Sequence, residues 1–281
     1  MLLSDKYPFL TEYFTDLLCS ENKRLPQSLL LYGNDFDAQY TISKEIARLL
    51  NCKENKSDDC ECLNCKWIRE NSHPAVMTIS KKDNKPEDDS SATVISINQS
   101  AMIKGLLVNA SEFHRVFIFC DRDELGNISG LNKINFQEEA ANSLLKIIEE
   151  PQEGVTFIFL TRYPDDVLPT IQSRSQCFFV PDYKKTTYSY EKIKGVFDEY
   201  WNFERKDVFD ISQKLLDLTK KYSEDEILSE IQNYILAALK SNPRNKKFIS
   251  DIKIVEDCKK QASLGIKTAN IFDDMCLKLI V

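Results

Sequence analysis

Four cysteines fall within fourteen residues of this chain: Cys52, Cys60, Cys62 and Cys65, in the run CKENKSDDCECLNC. They directly follow a strand–loop–helix pattern, LLLYGNDFDAQYTISKEIARLL, which has the layout of a nucleotide-binding loop without its chemistry. The pair of features points to an α/β sheet whose first crossover helix runs into a metal knuckle. A CxxC pair (Cys62, Cys65) with Cys60 and Cys52 upstream supplies four thiolates to one tetrahedral ion, and zinc suits such ligation without any redox demand. Four protein ligands close the site, so the expected role of the metal is structural. The alternatives are a chance set of exposed thiols or a redox-active CxxC pair. Cys19, Cys120, Cys177, Cys258 and Cys276 stand in apolar runs and read as core residues.

The rest of the composition narrows the setting. A chain of 281 residues accommodates two or three compact units. The N-terminus MLLSDKYPFL is too short and polar for a signal peptide, and no stretch approaches the roughly 20 apolar residues of a membrane span. The expectation is a cytoplasmic protein with no membrane partner, in which nine cysteines serve metal binding or stay as free thiols. A net charge of −7 disfavours a chain that grips DNA alone, so any nucleic acid would be reached through partners.

Along the chain, helical spacing marks residues 8–20, and the short apolar run 29–32 reads as a buried strand. Residues 41–50 form an amphipathic helix, 75–79 a strand, and the polar stretch 80–92 an exposed loop. Strand-like TVISI precedes a helix over 99–110. The apolar run 116–120 suits a central parallel strand, and 136–149 a helix stopped by Pro151. Further strands are expected at 155–160 and 177–180. Alternation over residues 1–180 predicts a parallel α/β sheet. Beyond Pro181 the segments 189–202, 206–221, 224–240 and 250–280 are all helical in period, with a boundary near 181–205.

A phosphate loop of the form G-x-x-x-x-G-K-[ST] needs a second glycine, a lysine and a hydroxyl. Counting from Gly33, this chain places Ala38, Gln39 and Tyr40 there, and sets Asp35 and Asp37 where phosphate oxygens would lie. Two carboxylates would repel a polyphosphate. The strand VFIFC ends in Asp121, as in a magnesium-binding Walker B strand, but Arg122 follows where a water-activating Glu would stand. VTFIFL ends in Thr161, at the place of a polar phosphate sensor. His73 and His114 are the only histidines, and neither lies in a nucleophile or metal motif.

Two later motifs complete an ordered series: Asn142-Ser-Leu-Leu-Lys-Ile-Ile-Glu-Glu-Pro151, and Thr170-Ile-Gln-Ser-Arg-Ser175. With them, and with His73-Pro74 after the cysteines, residues 24–181 resemble the bacterial clamp-loader family of AAA+ proteins. The intervals between the cysteines are seven, one and two residues, one fewer than the family's in each of the first two, which implies altered geometry at Cys60. The resemblance implies an AAA+ parallel-sheet core at 1–181 with a zinc module at about 50–68. A shortened lid or linker at 182–205 and a helical collar at 206–281 would follow. The long segment GNISGLNKIN at 126–135 departs from the family pattern.

The function implied is that of a noncatalytic, stator-type subunit of the DNA polymerase III clamp loader, without an ATPase site of its own. Arg174 would act in trans as an arginine finger on the γ-phosphate held by a neighbour, a task that suits a planar, permanently charged guanidinium. Glu149 and Glu150 read as a solvated face. The implied partners are the gamma/tau ATPase and delta subunits, the sliding clamp indirectly, and primed DNA through the complex. The competing expectations are an ATP-hydrolysing gamma/tau-like subunit, and a zinc-stabilised adaptor with no clamp-loading role.

Overall fold

The computed structural model describes residues 25–90, 93–149, 152–181, 189–242 and 245–280, together with Phe14 and Leu18. The expected helix over 8–20 apart from Phe14 and Leu18, Cys19, Glu150, Pro151 and residues 182–188 of the expected 182–205 linker lie outside them. Contacts divide the chain into two compact units, residues 1–180 and 181–281.

The first unit is built on five parallel strands: β1 (Ser28–Tyr32), β2 (Val76–Ile79), β3 (Arg115–Phe119), β4 (Val155–Thr161) and β5 (Gln176–Phe179), in the spatial order β2-β3-β4-β1-β5. Every residue of β1 and β4 is buried, as central strands covered on both faces require. Phenylalanines on neighbouring strands stack across the sheet, Phe117 on Phe157 at 5.5 Å and Phe119 on Phe159 at 4.7 Å. The helices are α1 (Phe36–Asn51), α2 (Leu63–Arg69), α3 (Ile97–Val108), α4 (Glu138–Glu149) and the single turn α5 (Pro169–Gln172).

Several expectations need correction. Helix α1 begins at Phe36, five residues earlier than its apolar spacing suggests, because the Asp35 side chain caps it by accepting the Ala38 N–H at 3.0 Å. TVISI is not a strand. Only Ile95 bridges to Phe136, and at Ser96 the chain turns into α3 through a capping box with Gln99. The 80–92 loop is tethered rather than simply exposed: Ser80 and Asp89 are buried, Asp83 pairs with Arg122, and Asp89 accepts from Ser96. Cys177 is exposed, not core, since β5 is an edge strand with one neighbour. Cys120, Cys258 and Cys276 are buried.

The second unit contains α6 (Val208–Leu218), α7 (Glu224–Ser241), α8 (Lys246–Ser263) and α9 (Thr268–Ile280). The expected helix over 189–202 is instead a series of turns with one 3-10 turn at Tyr200–Asn202. Gly195 (φ 77°) and Glu199 (φ 52°) adopt left-handed backbone that no helix continues through. Phe197 and Tyr200, stacked at 4.9 Å, are fully buried, so this segment is held by aromatic packing instead. The stretch 250–280 is likewise two helices, broken where Gly265 takes φ 78°. Among the described residues no helix is long and apolar enough to cross a membrane.

Candidate functional site

In the first unit, β1 lies between β4 and β5, while the chain leaving β1 crosses to the opposite edge of the sheet. Open parallel sheets bind ligands at such a switch point, beyond the carboxyl ends of the strands. Gly33 occupies that point. Its backbone runs so close to β5 that a Cβ would lie 2.2 Å from the Val180 carbonyl oxygen, and its φ of 141° also favours glycine.

The loop after Gly33 is filled by the chain's own side chains. The N-terminus of α1, the usual receptor for a phosphate in this layout, receives the fully buried Asp35 carboxylate. Gln39, equally buried, donates from Nε2 to the Gly33 carbonyl at 2.9 Å and the Thr161 carbonyl at 3.1 Å. Its Oε1 accepts the Thr161 N–H at 3.2 Å. One amide thus ties the end of β1 to the end of β4. Tyr40 turns away, and its hydroxyl meets Thr78 Oγ1 at 2.9 Å. Thr161 Oγ1 bonds to the carbonyls of Leu131 (3.2 Å) and Tyr163 (3.0 Å).

The long segment after β3 completes this closure. It forms a short hairpin, Asp121–Arg122 against Ile128–Ser129, and then lays Leu131 beside Thr161. A Cβ on Gly130 would lie 2.5 Å from the Phe36 ring and 3.2 Å from the Arg162 backbone nitrogen, so a larger residue here would have to displace the ring. Asp121, at the end of β3, is buried. It accepts from Asn135 at 3.0 Å and pairs with Lys81 at 3.1 Å. Arg122 is paired with Asp83 and donates to the Gly126 carbonyl at 2.9 Å.

The cysteines behave differently. Cys52 caps the C-terminus of α1, Cys62 precedes the first turn of α2, and Cys65 lies within α2. Two helix ends and one loop thereby bring all four Sγ atoms within 4.8 Å of one another. Four sulfurs about 2.3 Å from a tetrahedral zinc would stand about 3.8 Å apart. Cys52 lies 3.6 Å from Cys60 and 4.0 Å from Cys62. The four residues therefore fit a tetrahedral metal, and the shortened intervals leave Cys60 within the group. Burial works against the Cys62 thiolate, yet hydrogen bonds from the Cys65 backbone and from the Cys65 and Cys60 side chains prevail and hold its pKa down to about 7. Burial pushes the Cys65 thiol well above its ordinary range.

Arg48, 2% exposed, organises the knuckle. It donates to the carbonyls of Ser57 (2.8 Å) and Lys56 (3.1 Å), lies 3.7 Å from Cys65 Sγ, and is balanced by Glu45 at 2.8 Å. A guanidinium here offsets the charge that metal-bound thiolates would gather. The sequence signal was present but unread, for Arg48 sits one helical turn before Cys52 on the same helix.

Arg174 follows α5. Its Nη1 donates to the Thr170 carbonyl at 3.0 Å and to Ser173 Oγ at 3.3 Å, and its Nη2 pairs with the Glu149 carboxylate at the end of α4. Glu149 is therefore more than a solvated face: the structure joins the LLKIIE and SRS motifs through it. No spacing rule connects residues 25 apart, so the pairing was not readable. Ser175 bonds the Ile171 carbonyl at 2.8 Å and Ser28 Oγ at 2.7 Å.

Strand order, glycine loop and acidic strand end place the first unit among parallel α/β domains built around a phosphate-loop layout. The chain belongs to the family described as "DNA polymerase III, delta subunit", whose profile matches residues 18–183. A DNA polymerase III subunit delta' of Bacillus subtilis is 28% identical over 160 residues, covering 56% of this chain and 42% of that one. A subunit delta' of Pseudomonas aeruginosa is 23% identical over 175 residues, 61% and 48% of the two chains. A gamma/tau subunit of Mycobacterium tuberculosis is 26% identical over 175 residues, 58% and 27% of the two chains. The matches thus span less than half the length of these curated relatives. A solved gamma subunit-related protein of Thermotoga maritima aligns over 96% of this chain and 97% of its own, with 17% identity and a TM-score of 0.41.

Proposed function

We propose that this chain is a delta-prime-type, stator-like subunit of a DNA polymerase III clamp loader. It has no ATPase site of its own and supplies Arg174 to the nucleotide of a neighbouring subunit. The observation that carries this reading is Gln39. A buried amide making three hydrogen bonds across the loop stands where an ATPase needs a lysine ammonium, and Asp35 already caps the helix that would receive the phosphates. Zinc at Cys52, Cys60, Cys62 and Cys65 would be structural, fixing the loop between α1 and α2. The helices of the second unit would form the collar of the ring. Phe209 and Leu277, 75% and 52% exposed on α6 and α9, offer apolar surface for such packing. Partners would be the gamma/tau ATPase and delta subunits, with clamp and primed DNA reached through the complex.

Similarity to gamma/tau relatives favours one competing reading, an ATP-hydrolysing subunit. Titration calorimetry decides between them: the isolated chain is expected to bind no Mg-ATP at millimolar concentration, and micromolar affinity would establish the competitor. The functional test is reconstitution with gamma/tau and delta subunits. DNA-stimulated hydrolysis and clamp loading should require this chain. Arg174→Ala should leave assembly intact, lower hydrolysis, and impair loading more strongly. A single finger contributes about 10³-fold or more at its own site, but other sites in the ring keep theirs. Normal hydrolysis and loading by the assembled variant would return Arg174 to an ordinary surface arginine.

A further inference from the structure

The pair between Arg174 and Glu149 joins two motifs that lie 25 residues apart, and it holds the one guanidinium for which a role in trans is proposed. We propose that Glu149 is an intramolecular competitor for Arg174. It occupies the guanidinium in the unassembled chain and is displaced by the terminal phosphate of a nucleoside triphosphate on a neighbouring subunit. This inference rests on the finger reading above.

The geometry supports exchange. Three acceptors, the Thr170 carbonyl, Ser173 Oγ and the Glu149 carboxylate, engage Arg174. A guanidinium has five N–H donors, so donors remain for an incoming ligand while the pair still holds. The first two acceptors lie within four residues of Arg174 and move with it. Glu149 sits on another helix and, among the described residues, is its only charged partner. The two side chains are 37% and 45% exposed, so the pair is weak and reversible. A buried pair could not be exchanged without leaving an uncompensated charge. A terminal phosphate carries more negative charge than a carboxylate and accepts from the guanidinium fork bidentately. It can therefore replace Glu149 where a diphosphate, which presents nothing at that position, cannot. The carboxylate sets a threshold that the triphosphate state alone crosses.

The test measures the affinity of the full chain for the gamma/tau-type ATPase subunit, loaded either with a non-hydrolysable triphosphate analogue or with diphosphate. Glu149→Gln keeps the helix and side-chain size but removes the charge. It should tighten the triphosphate-loaded complex about two- to fivefold, within the range that an exposed pair allows, and leave the diphosphate-loaded complex unchanged. In an Arg174→Ala background the same substitution should have no effect. An unchanged or weakened triphosphate complex overturns the competition, as does a gain that persists without Arg174. If Arg174→Ala weakens the triphosphate complex while Glu149→Gln leaves it alone, competition falls and the finger reading stands. If Arg174→Ala itself changes nothing, both fall.

Discussion

Two sites close to one helix treat polar groups in opposite ways. At the N-terminal end of α1, the loop after Gly33 is satisfied from within: Asp35 caps the helix and Gln39 bonds both adjoining strand ends. At its C-terminal end, four thiols converge on one another, with two of them 3.6 Å apart, and Arg48 brings positive charge to their edge. Hydrogen-bonding groups satisfied by the chain leave little for a ligand to gain, whereas soft donors gathered around one point gain most from a cation. The same helix thus carries at one end a loop whose polar groups the chain satisfies itself and at the other a cluster of thiols that fits a metal.

Removing the metal should break that contrast most strongly. About one zinc per chain is expected in freshly prepared reduced protein, and substoichiometric metal by elemental analysis would sink the assignment. Because structural zinc contributes on the order of 10 kcal/mol in small modules, Cys65→Ser should disorder residues 50–68, read as fast hydrogen exchange confined to that segment. At the other end of α1, Gln39→Lys removes the amide that bridges Gly33 and Thr161 and buries an ammonium in its place. A loss of about 3 kcal/mol in urea unfolding is expected, from broken hydrogen bonds and a buried charge. Changing Ala38, Gln39 and Tyr40 together to Gly, Lys and Thr should still give no ATP binding while Asp35 and Asp37 remain. Calorimetry showing restored affinity would mean that the loop differs from an ATPase by those three residues alone.

A smaller effect is expected at Arg48. Arg48→Leu preserves bulk but deletes the contacts to Lys56, Ser57 and Cys65, and zinc affinity measured by chelator competition should fall 10- to 100-fold. Unchanged affinity would assign Arg48 to packing alone.

What the sequence revealed follows the range of the interactions involved. Continuous apolar runs such as VFIFC and VTFIFL marked central strands because burial on both faces leaves no alternation to disguise them. The cysteines were legible because their spacing is local, and the replaced loop residues because their chemistry is positional. TVISI misled because a capping box at Ser96 overrode its strand propensity. The segment 189–202 has helical spacing but packs as turns, where tertiary contacts of Phe197 and Tyr200 outweigh local preference. Glu149 beside Arg174 and Lys81 beside Asp121 are long-range ion pairs, which no periodicity encodes.

The smallest effect offers a way to ask whether the cysteine knuckle and the sheet core beside it respond to acid separately. His114 is half-buried, its Nε2 2.8 Å from Thr156 Oγ1, while its backbone N–H donates to Asn51 Oδ1 at 2.9 Å, next to Cys52. Burial disfavours its charged form and lowers its pKa to about 4. Unfolded, it takes up a proton near 6.5. Between about 6.5 and 4 the unfolded chain therefore binds the extra proton, and stability falls as pH falls; above about 6.5 nothing is lost. The loss amounts to at most about 3 kcal/mol by pH 4, reduced by solvent screening at this half-buried ring, and His114→Gln should flatten this acid limb in urea titrations. Metal release also accelerates on acidification, because thiolates must be deprotonated to bind, but that dependence belongs to the cysteines. His114→Gln should accordingly leave the pH of zinc release where it is. If the substitution shifts unfolding and zinc release together, the knuckle and the core form one cooperative unit, and the local disorder expected of Cys65→Ser would spread through the sheet.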